Sequence, residues 1–141
     1  MKVIGIQIEG NEVILVVLEK KSDGSIVQTD DCSRFDIADH SDASQVRQFR
    51  DQVNSTFKSI NANRIGVRAR NANAKPSKTV RPPSPVSFKL EGIIQLYDNA
   101  NIEFVWPQTI TAYKKKKSIT TTSKFVYQQE AYDVAYYLIN Q

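Results

Sequence analysis

The sequence contains one cysteine, one histidine and no apolar run long enough to cross a membrane. A single thiol, Cys32, cannot form an internal disulfide, and Cys32 with His40 falls short of the usual set of about four zinc ligands. The sequence also lacks the patterns GxxxxGK[ST] and GxGxxG, so glycine-loop nucleotide binding is unsupported. These absences predict a cytoplasmic protein without a membrane segment, built as a single domain over residues 1–141.

Acidic residues are absent from two long stretches. Residues 52–90 carry eight lysines and arginines, and residues 104–129 carry five, so thirteen of the nineteen basic residues have no acid in their own stretch. The net charge is only +4, because residues 1–51 hold most of the acids. Such an uneven distribution attracts polyanions, although a solvated charge run that aids solubility remains the alternative.

Hydrophobic periodicity defines the order of the predicted elements. Apolar, β-branched runs at 2–9 and 12–20 flank Gly10-Asn11, which is typical of a hairpin. A third strand draws on 25–28 and 33–37, and its register stays open. The remaining elements are a helix from about 42 to 61, a strand at 64–69, a basic, proline-rich loop at 70–85, a helix at 86–99, a strand at 102–106, a lysine- and threonine-rich segment at 109–123 with a short helix at its start, and a helix at 125–139.

Three antiparallel strands followed by alternating helices and strands predict an α/β fold. The expected architecture is a mixed five-stranded sheet, with three antiparallel and then two parallel strands, and with helices on its faces.

Three short segments, taken in this order, resemble the ribonuclease H-like superfamily, and in particular its RuvC-like members. KVIGIQIEG at 2–10 resembles the first strand of that superfamily, whose aspartate falls on Gln7. GVRA at 66–69 resembles the end of the fourth strand, whose glutamate falls on Ala69. EAYDVA at 130–135 matches the paired acids of the last helix.

The chain also resembles a family of short uncharacterised bacterial proteins with this predicted fold. Gly10-Asn11-Glu12 and the segment VSFKLE at 86–91 carry that likeness.

The superfamily resemblance implies a two-metal centre, usually with Mg²⁺ held by three or four carboxylates. Here Glu130 and Asp133 remain as candidate metal ligands, whereas Gln7 and Ala69 supply no negative charge. Glu9 lies on the same strand face as Gln7 and could replace a missing ligand. Glu91 is a second possible replacement. The expected centre is therefore degenerate, with no cofactor or with weakly bound Mg²⁺.

The loop and the lysine run are expected to lie on one rim of the sheet, beyond the carboxyl ends of the parallel strands. Together they form the predicted nucleic-acid-binding surface, with Tyr113, Tyr127 or Trp106 available for base stacking. Its predicted basic residues are Arg68, Arg70, Lys75, Lys78, Arg81, Lys114, Lys115, Lys116 and Lys117.

The function that these features favour is nucleic-acid binding by a RuvC-like protein with a degenerate nuclease centre, which we expect to be inactive because ligands are lost. One alternative is an active Mg²⁺-dependent endonuclease that acts on branched or duplex nucleic acid with shifted carboxylate ligands. Another is a protein–protein interaction module or a subunit of a larger complex, through the proline-rich loop or the tyrosine-rich last helix. The resemblance to RuvC also implies a homodimer. The sequence leaves DNA and RNA equally open as ligands.

Overall fold

A computed structural model describes residues 1–141. Its elements, in chain order, are β1 (Lys2–Glu9), β2 (Glu12–Lys20), β3 (Ile26–Gln28), β4 (Arg34–Asp36), α1 (Ala43–Ile60), β5 (Arg64–Arg68), α2 (Pro85–Gln95), β6 (Ile102–Val105), α3 (Pro107–Lys117) and α4 (Gln129–Ile139). A short 3₁₀ turn at Val126–Gln128 leads into α4. None of these helices combines the length and the apolar character that a membrane span requires.

The strands form one mixed sheet in the order β3-β2-β1-β5-β6. β1 runs antiparallel to β2 and parallel to β5, and β5 runs parallel to β6. The predicted third strand consists of two short strands, because both β3 and β4 pair with β2. The predicted fold class is thereby confirmed, with the open register of the third strand resolved as two separate pieces.

Each face of the sheet buries its own hydrophobic core, since successive side chains of a strand point to opposite sides. Ile4 and Ile6 pack on the side covered by α1 and α2, together with Phe49 and Leu90 of those helices. Val3 packs on the other side, against α4. Gln7 shares the parity of Val3, so its side chain also points towards α4.

Two glycines allow α4 to approach the sheet closely. Gly5 and Gly66 are neighbours across β1 and β5. A Cβ atom at Gly5 would overlap the backbone carbonyl of Ala131, and one at Gly66 would overlap the side chain of Leu138. The backbone of α4 therefore lies directly against the two central strands, within reach of their side chains.

The boundaries of three helices differ from those predicted. α4 begins at Gln129 rather than at residue 125. α2 ends at Gln95 rather than near residue 99, because Asp98 and Asn99 favour a turn. α3 begins at Pro107 and continues through the whole lysine run. Proline is well suited to the first helical position, and lysines in the last turn interact favourably with the helix dipole, so the run extends the helix.

Candidate functional site

The side-chain amide of Gln7 lies at the centre of the candidate site and is only 3% exposed. Its Oε1 accepts a hydrogen bond from the backbone N–H of Ala131 at 2.9 Å. Its Nε2 donates to Oε1 of Glu9 at 3.2 Å and lies 3.5 Å from Oε2 of Glu130. The carbonyl is thus turned into α4, and the amino group faces two carboxylates.

This orientation decides what Gln7 can do chemically. A glutamine could ligate Mg²⁺ only through its carbonyl oxygen, and that oxygen is engaged by Ala131. The amino group directs two N–H donors, the positive ends of its dipole, at Glu9 and Glu130. A cation placed between these carboxylates would meet those N–H groups, so the amide takes the place that a metal would need.

Arg68 lies beside Gln7 on the same face of the sheet. The parallel register pairs Ile6 with Val67, so the next residues along β1 and β5 are Gln7 and Arg68. The guanidinium of Arg68 is 3.7 Å from a carboxylate oxygen of Glu130. β5 therefore presents a positive charge next to Gln7.

Ala69, the position suggested by the family resemblance, is buried just after β5. By alternation it belongs with Ile65 and Val67, which pack in the core on the α1 and α2 side. The side chain that shares the face of Gln7 is Arg68. The alternation of side chains within RIGVR predicts that Arg68 and Ala69 point to opposite faces of the sheet. Which of the two shares the face of Gln7 is known only from the register with β1.

Asp133 faces α3 rather than the amide of Gln7. Its Oδ1 accepts hydrogen bonds from Nζ of Lys114 and from Nε2 of Gln129, each at 2.8 Å. Glu130 and Asp133 lie one turn apart on α4, but their partners come from different directions. The two predicted metal ligands are thus each engaged by a different cationic group.

Arg70 and Glu91 form an ion pair in the interior, with side chains that are 9% and 13% exposed. The guanidinium lies 3.2 Å from Oε1 of Glu91, donates to Oγ of Ser87 at 2.6 Å and stacks over the ring of Phe88. The structure therefore places Arg70 among protein partners, although it also lines two of the cavities at the carboxyl ends of β1 and β5. It also places Glu91 in this pair rather than among the carboxylates near Gln7.

A two-metal centre requires several carboxylates with free oxygens that converge on one point. No group of three or more aspartate, glutamate, histidine or cysteine side chains in the structure could hold a metal ion. Glu9, Glu91, Glu130 and Asp133 each lie against an N–H donor of another side chain. The residues present do not fit a pair of Mg²⁺ ions.

An open groove surrounds Arg68 at the carboxyl ends of β1, β5 and β6. It consists of three adjoining cavities of about 590, 250 and 220 Å³, and Arg68 lines all of them. We call these cavities the Arg68 groove. Glu9 and Glu130 line the largest, Trp106 the second and Asp133 the third. Arg70 and Arg81 border the first two cavities, so three guanidinium groups line the groove.

The other predicted basic residues lie at different distances from this groove. Lys75 and Lys78 are exposed on the loop that carries Arg81. The exposed lysines 115–117 occupy the last turn of α3, roughly 12–15 Å along the helix from its first residue. Lys114 is held by Asp133. The loop therefore borders the groove, whereas most of the lysine run extends away from the rim on which it was predicted.

Of the three aromatic candidates for base stacking, Trp106 lines the groove. It is 48% exposed. Tyr113 packs edge-on against Tyr137 of α4, and Tyr127 stacks on Phe125 beneath the guanidinium of Arg34.

Burial raises the pKa of Tyr113 and of Tyr132, and nearby tyrosines add to the shift. Tyr113 lies on α3 directly before the lysine run, and Tyr132 stacks on Tyr136 of α4. A phenol with the ordinary tyrosine pKa of about 10 is already neutral at neutral pH, so the upward shift leaves the positive charge of the lysines unchanged.

The family model described as a protein of unknown function (DUF3010) matches residues 1–138, so the chain belongs to that family. No curated protein matches the sequence at a significant level.

Solved structures with a similar fold are Holliday junction resolvases. RuvC of Thermus thermophilus superposes with a TM-score of 0.64 at 9% identity, covering 96% of this chain and 91% of RuvC. RuvC of T. thermophilus in complex with a Holliday junction substrate gives 0.62 at 9% identity, over 96% and 90% of the two chains. The fowlpox virus resolvase gives 0.53 at 10% identity, over 99% of each chain. At such low identity these matches establish the ribonuclease H-like, RuvC-like fold alone.

Proposed function

We propose that this member of the DUF3010 family binds nucleic acid through the Arg68 groove and the basic loop beside it, without cleaving it. One observation carries the proposal. The amide of Gln7 accepts from Ala131 and directs its N–H groups at Glu9 and Glu130. Donors of the protein itself thus occupy the carboxylates of the groove, which supports binding without cleavage.

Cleavage by this fold would require metal-bound carboxylates that activate water and stabilise the leaving oxygen. In this chain Arg68 contacts Glu130 and Lys114 contacts Asp133. These cations neutralise the acids without a metal and supply no activated water. The proposed protein therefore uses no cofactor, or at most weakly bound Mg²⁺.

The same cations suit the binding of phosphates. Ligands of α/β proteins commonly bind beyond the carboxyl ends of the parallel strands, where Arg68 lies. Arg81, Lys75 and Lys78 continue the positive surface along the loop. A similar structure, RuvC, is known in complex with a Holliday junction substrate, which supports a nucleic-acid ligand for this groove as well.

Glu130 has a further role in this proposal, as a stand-in for phosphate. Its carboxylate holds Arg68 near the groove when no ligand is bound. A phosphate oxygen can replace the carboxylate and make a charge-assisted hydrogen bond of the same kind. The arginine is then already oriented when nucleic acid arrives.

Binding measurements at several salt concentrations test the proposal. Fluorescently labelled four-way junction, duplex and single-stranded DNA, with RNA counterparts, are titrated with the protein. Replacing Lys75, Lys78 and Arg81 together by alanine should lower the salt slope of log K by about 2–3 units. The matched control replaces Arg47, Arg50 and Lys58 of α1, on the opposite side of the sheet, and should leave the slope unchanged. If the salt slope fell equally in both variants, the loop would contribute only through the overall charge of the protein, and the proposed surface would be wrong.

The same nucleic acids, incubated with Mg²⁺ or Mn²⁺, test the proposed lack of cleavage. We expect all of them to remain intact. Cleavage that disappears in the Asp133→Asn variant would instead establish the alternative, an endonuclease with shifted carboxylate ligands.

Protein–protein interaction is a second candidate function, supported by exposed apolar side chains just before α4. Phe125 is 57% exposed and Val126 is 94% exposed. Sedimentation of the purified protein tests whether a homodimer covers them: a concentration-dependent dimer that is lost in a Val126→Asp variant would support this role.

A further inference from the structure

We propose that the cavity beside Trp106 is a pocket for one unpaired nucleobase, so that the ligand of the groove is single-stranded nucleic acid or an unpaired nucleotide within a branched one. This inference rests on the proposed function and narrows its substrate class. It is carried by an open cavity of about 250 Å³, whose lining includes Arg68, Arg70, Asn71, Arg81, Trp106 and Gln108.

Trp106 is held firmly in place although half of its surface is exposed. It directly follows β6 and is the residue before Pro107, where α3 begins. Its backbone carbonyl accepts hydrogen bonds from the N–H groups of Thr109 and Ile110 in the first turn of α3. A fixed backbone between a strand and a helix limits how far the indole can withdraw from solvent. An exposed aromatic ring on a fixed backbone, at the border of a cationic groove, is the arrangement on which bases stack in proteins that bind single strands.

Two side-chain amides are available to contact the edge of a base. Gln108 makes no side-chain hydrogen bond within the protein, and Asn71 uses only its oxygen, which accepts from the backbone N–H of Asn73. An amide offers both donors and an acceptor, and glutamine and asparagine pair well with the edges of bases. The pocket therefore combines a stacking surface with polar groups that are free to bind a base.

The size of this pocket suits a single base rather than a base pair. The cavity is smaller than the ~300–1,000 Å³ typical of sites for drug-sized ligands, and its volume is about 250 Å³. Arg68 and Arg81, which line it, can bind the phosphates on either side of one nucleotide. A base can reach Trp106 only after it leaves the stack of a helix, which costs least where the nucleotide is already unpaired.

Intrinsic fluorescence gives a direct test, because Trp106 is the only tryptophan of the chain. The protein is titrated with single-stranded and fully duplex oligonucleotides of the same sequence, with DNA and RNA versions of each. Single-stranded oligonucleotides should quench and shift the tryptophan emission, whereas duplex should bind with little change in emission. Quenching by either DNA or RNA supports the pocket, and the tighter of the two identifies the natural ligand.

Substitutions then measure the contribution of the ring. Trp106→Leu should weaken the binding of single strands about 5- to 150-fold and change duplex affinity by less than about twofold. Trp106→Phe, which keeps an aromatic plane, should retain most of the affinity. Phe104→Leu is the matched control, because Phe104 is an exposed aromatic residue of β6 outside the pocket. Circular dichroism of each variant establishes that the fold is preserved.

The outcomes separate this inference from the proposed function. Equal quenching by duplex and single strand would overturn the requirement for an unpaired base. Tight, salt-dependent binding without any change in Trp106 emission would overturn the pocket and leave nucleic-acid binding by the groove intact. Failure of every nucleic acid to bind would overturn both.

Discussion

The side-chain carbonyl of Gln7 accepts a hydrogen bond from the backbone N–H of Ala131 at 2.9 Å and thereby ties the middle of β1 to the first turn of α4. The N-terminal N–H groups of a helix lack partners within the helix, and Gln7 satisfies one of them. Its amino group at the same time faces Glu9 and Glu130. A carboxylate at this position could accept from Ala131 but could not donate to the two acids. The amide can thus accept from the helix backbone and face the two carboxylates with its donors at the same time.

Gln7→Glu should lower the free energy of unfolding by at least about 2 kcal/mol at pH 7. The substitution keeps the shape of the side chain but replaces its donor by a third negative charge in a buried position. Burial and like charges raise the pKa of such a carboxyl above its unfolded value of about 4.3. The deficit should therefore shrink as the pH falls through the raised pKa, because protonation restores a donor. Urea denaturation at pH 7 and pH 5 measures both effects.

Gln52→Glu on the exposed side of α1 is the control for this substitution and should change stability by less than about 0.5 kcal/mol. Adding Mg²⁺ to the Gln7→Glu variant tests whether a cation can bind at this position. A melting temperature that rises with Mg²⁺ in the variant, but not in the wild type, would support the view that the amide stands where a cation would bind. A variant as stable as the wild type at pH 7 would contradict the role given to Gln7.

Glu130→Gln should strengthen nucleic-acid binding about two- to fivefold at low salt, as expected for losing one partly exposed ion pair. The carboxylate competes with phosphate for Arg68 and repels the backbone of the ligand. Fluorescence anisotropy with the oligonucleotides above measures the change, and the gain should diminish at high salt. A metal-binding centre predicts the opposite, because loss of Glu130 would then weaken both metal binding and cleavage.

Gly5→Ala should destabilise the fold by about 1–3 kcal/mol or more. The new methyl group would collide with the backbone of Ala131, and overpacking of a rigid contact forces the backbone to shift. Gly92→Ala is the matched substitution, because a Cβ atom there has nothing within 4 Å. Gly92 lies inside α2, so alanine should stabilise the protein by about 0.5–1 kcal/mol. Thermal denaturation measures the change in stability of both variants. If both variants gained stability, or both lost it, this packing of α4 would be contradicted.

Arg70→Met should lower stability by about 3 kcal/mol, since it leaves Glu91 buried without its cation. The double variant Arg70→Met/Glu91→Leu should recover much of that loss, because no unpaired charge remains. The salt slope of nucleic-acid binding should stay the same in both. A slope reduced by about one unit with little loss of stability would mean that Arg70 binds phosphate after all.

The order of the elements could be predicted from the sequence because it depends on local patterns. Apolar, β-branched runs on either side of Gly10-Asn11 predict β1 and β2, and the apolar stripe after Asp42 predicts α1. The position of Gln7 on the first strand follows from the same patterns. The end of α2 and the extent of α3 were harder to predict, because helix ends depend on single capping residues rather than on a repeating pattern.

The sequence by itself therefore determined the strands and helices, their order and the two stretches of unopposed positive charge. Only the tertiary structure decided which charges meet. Strand register placed Arg68 beside Gln7, and packing enclosed Arg70 with Glu91. The physical reason is range: periodicity reflects neighbours within a few residues, whereas the partners of Gln7 on α4 lie more than 120 residues away along the chain. Such contacts exist only after the sheet has formed and the paired glycines have let α4 settle against it.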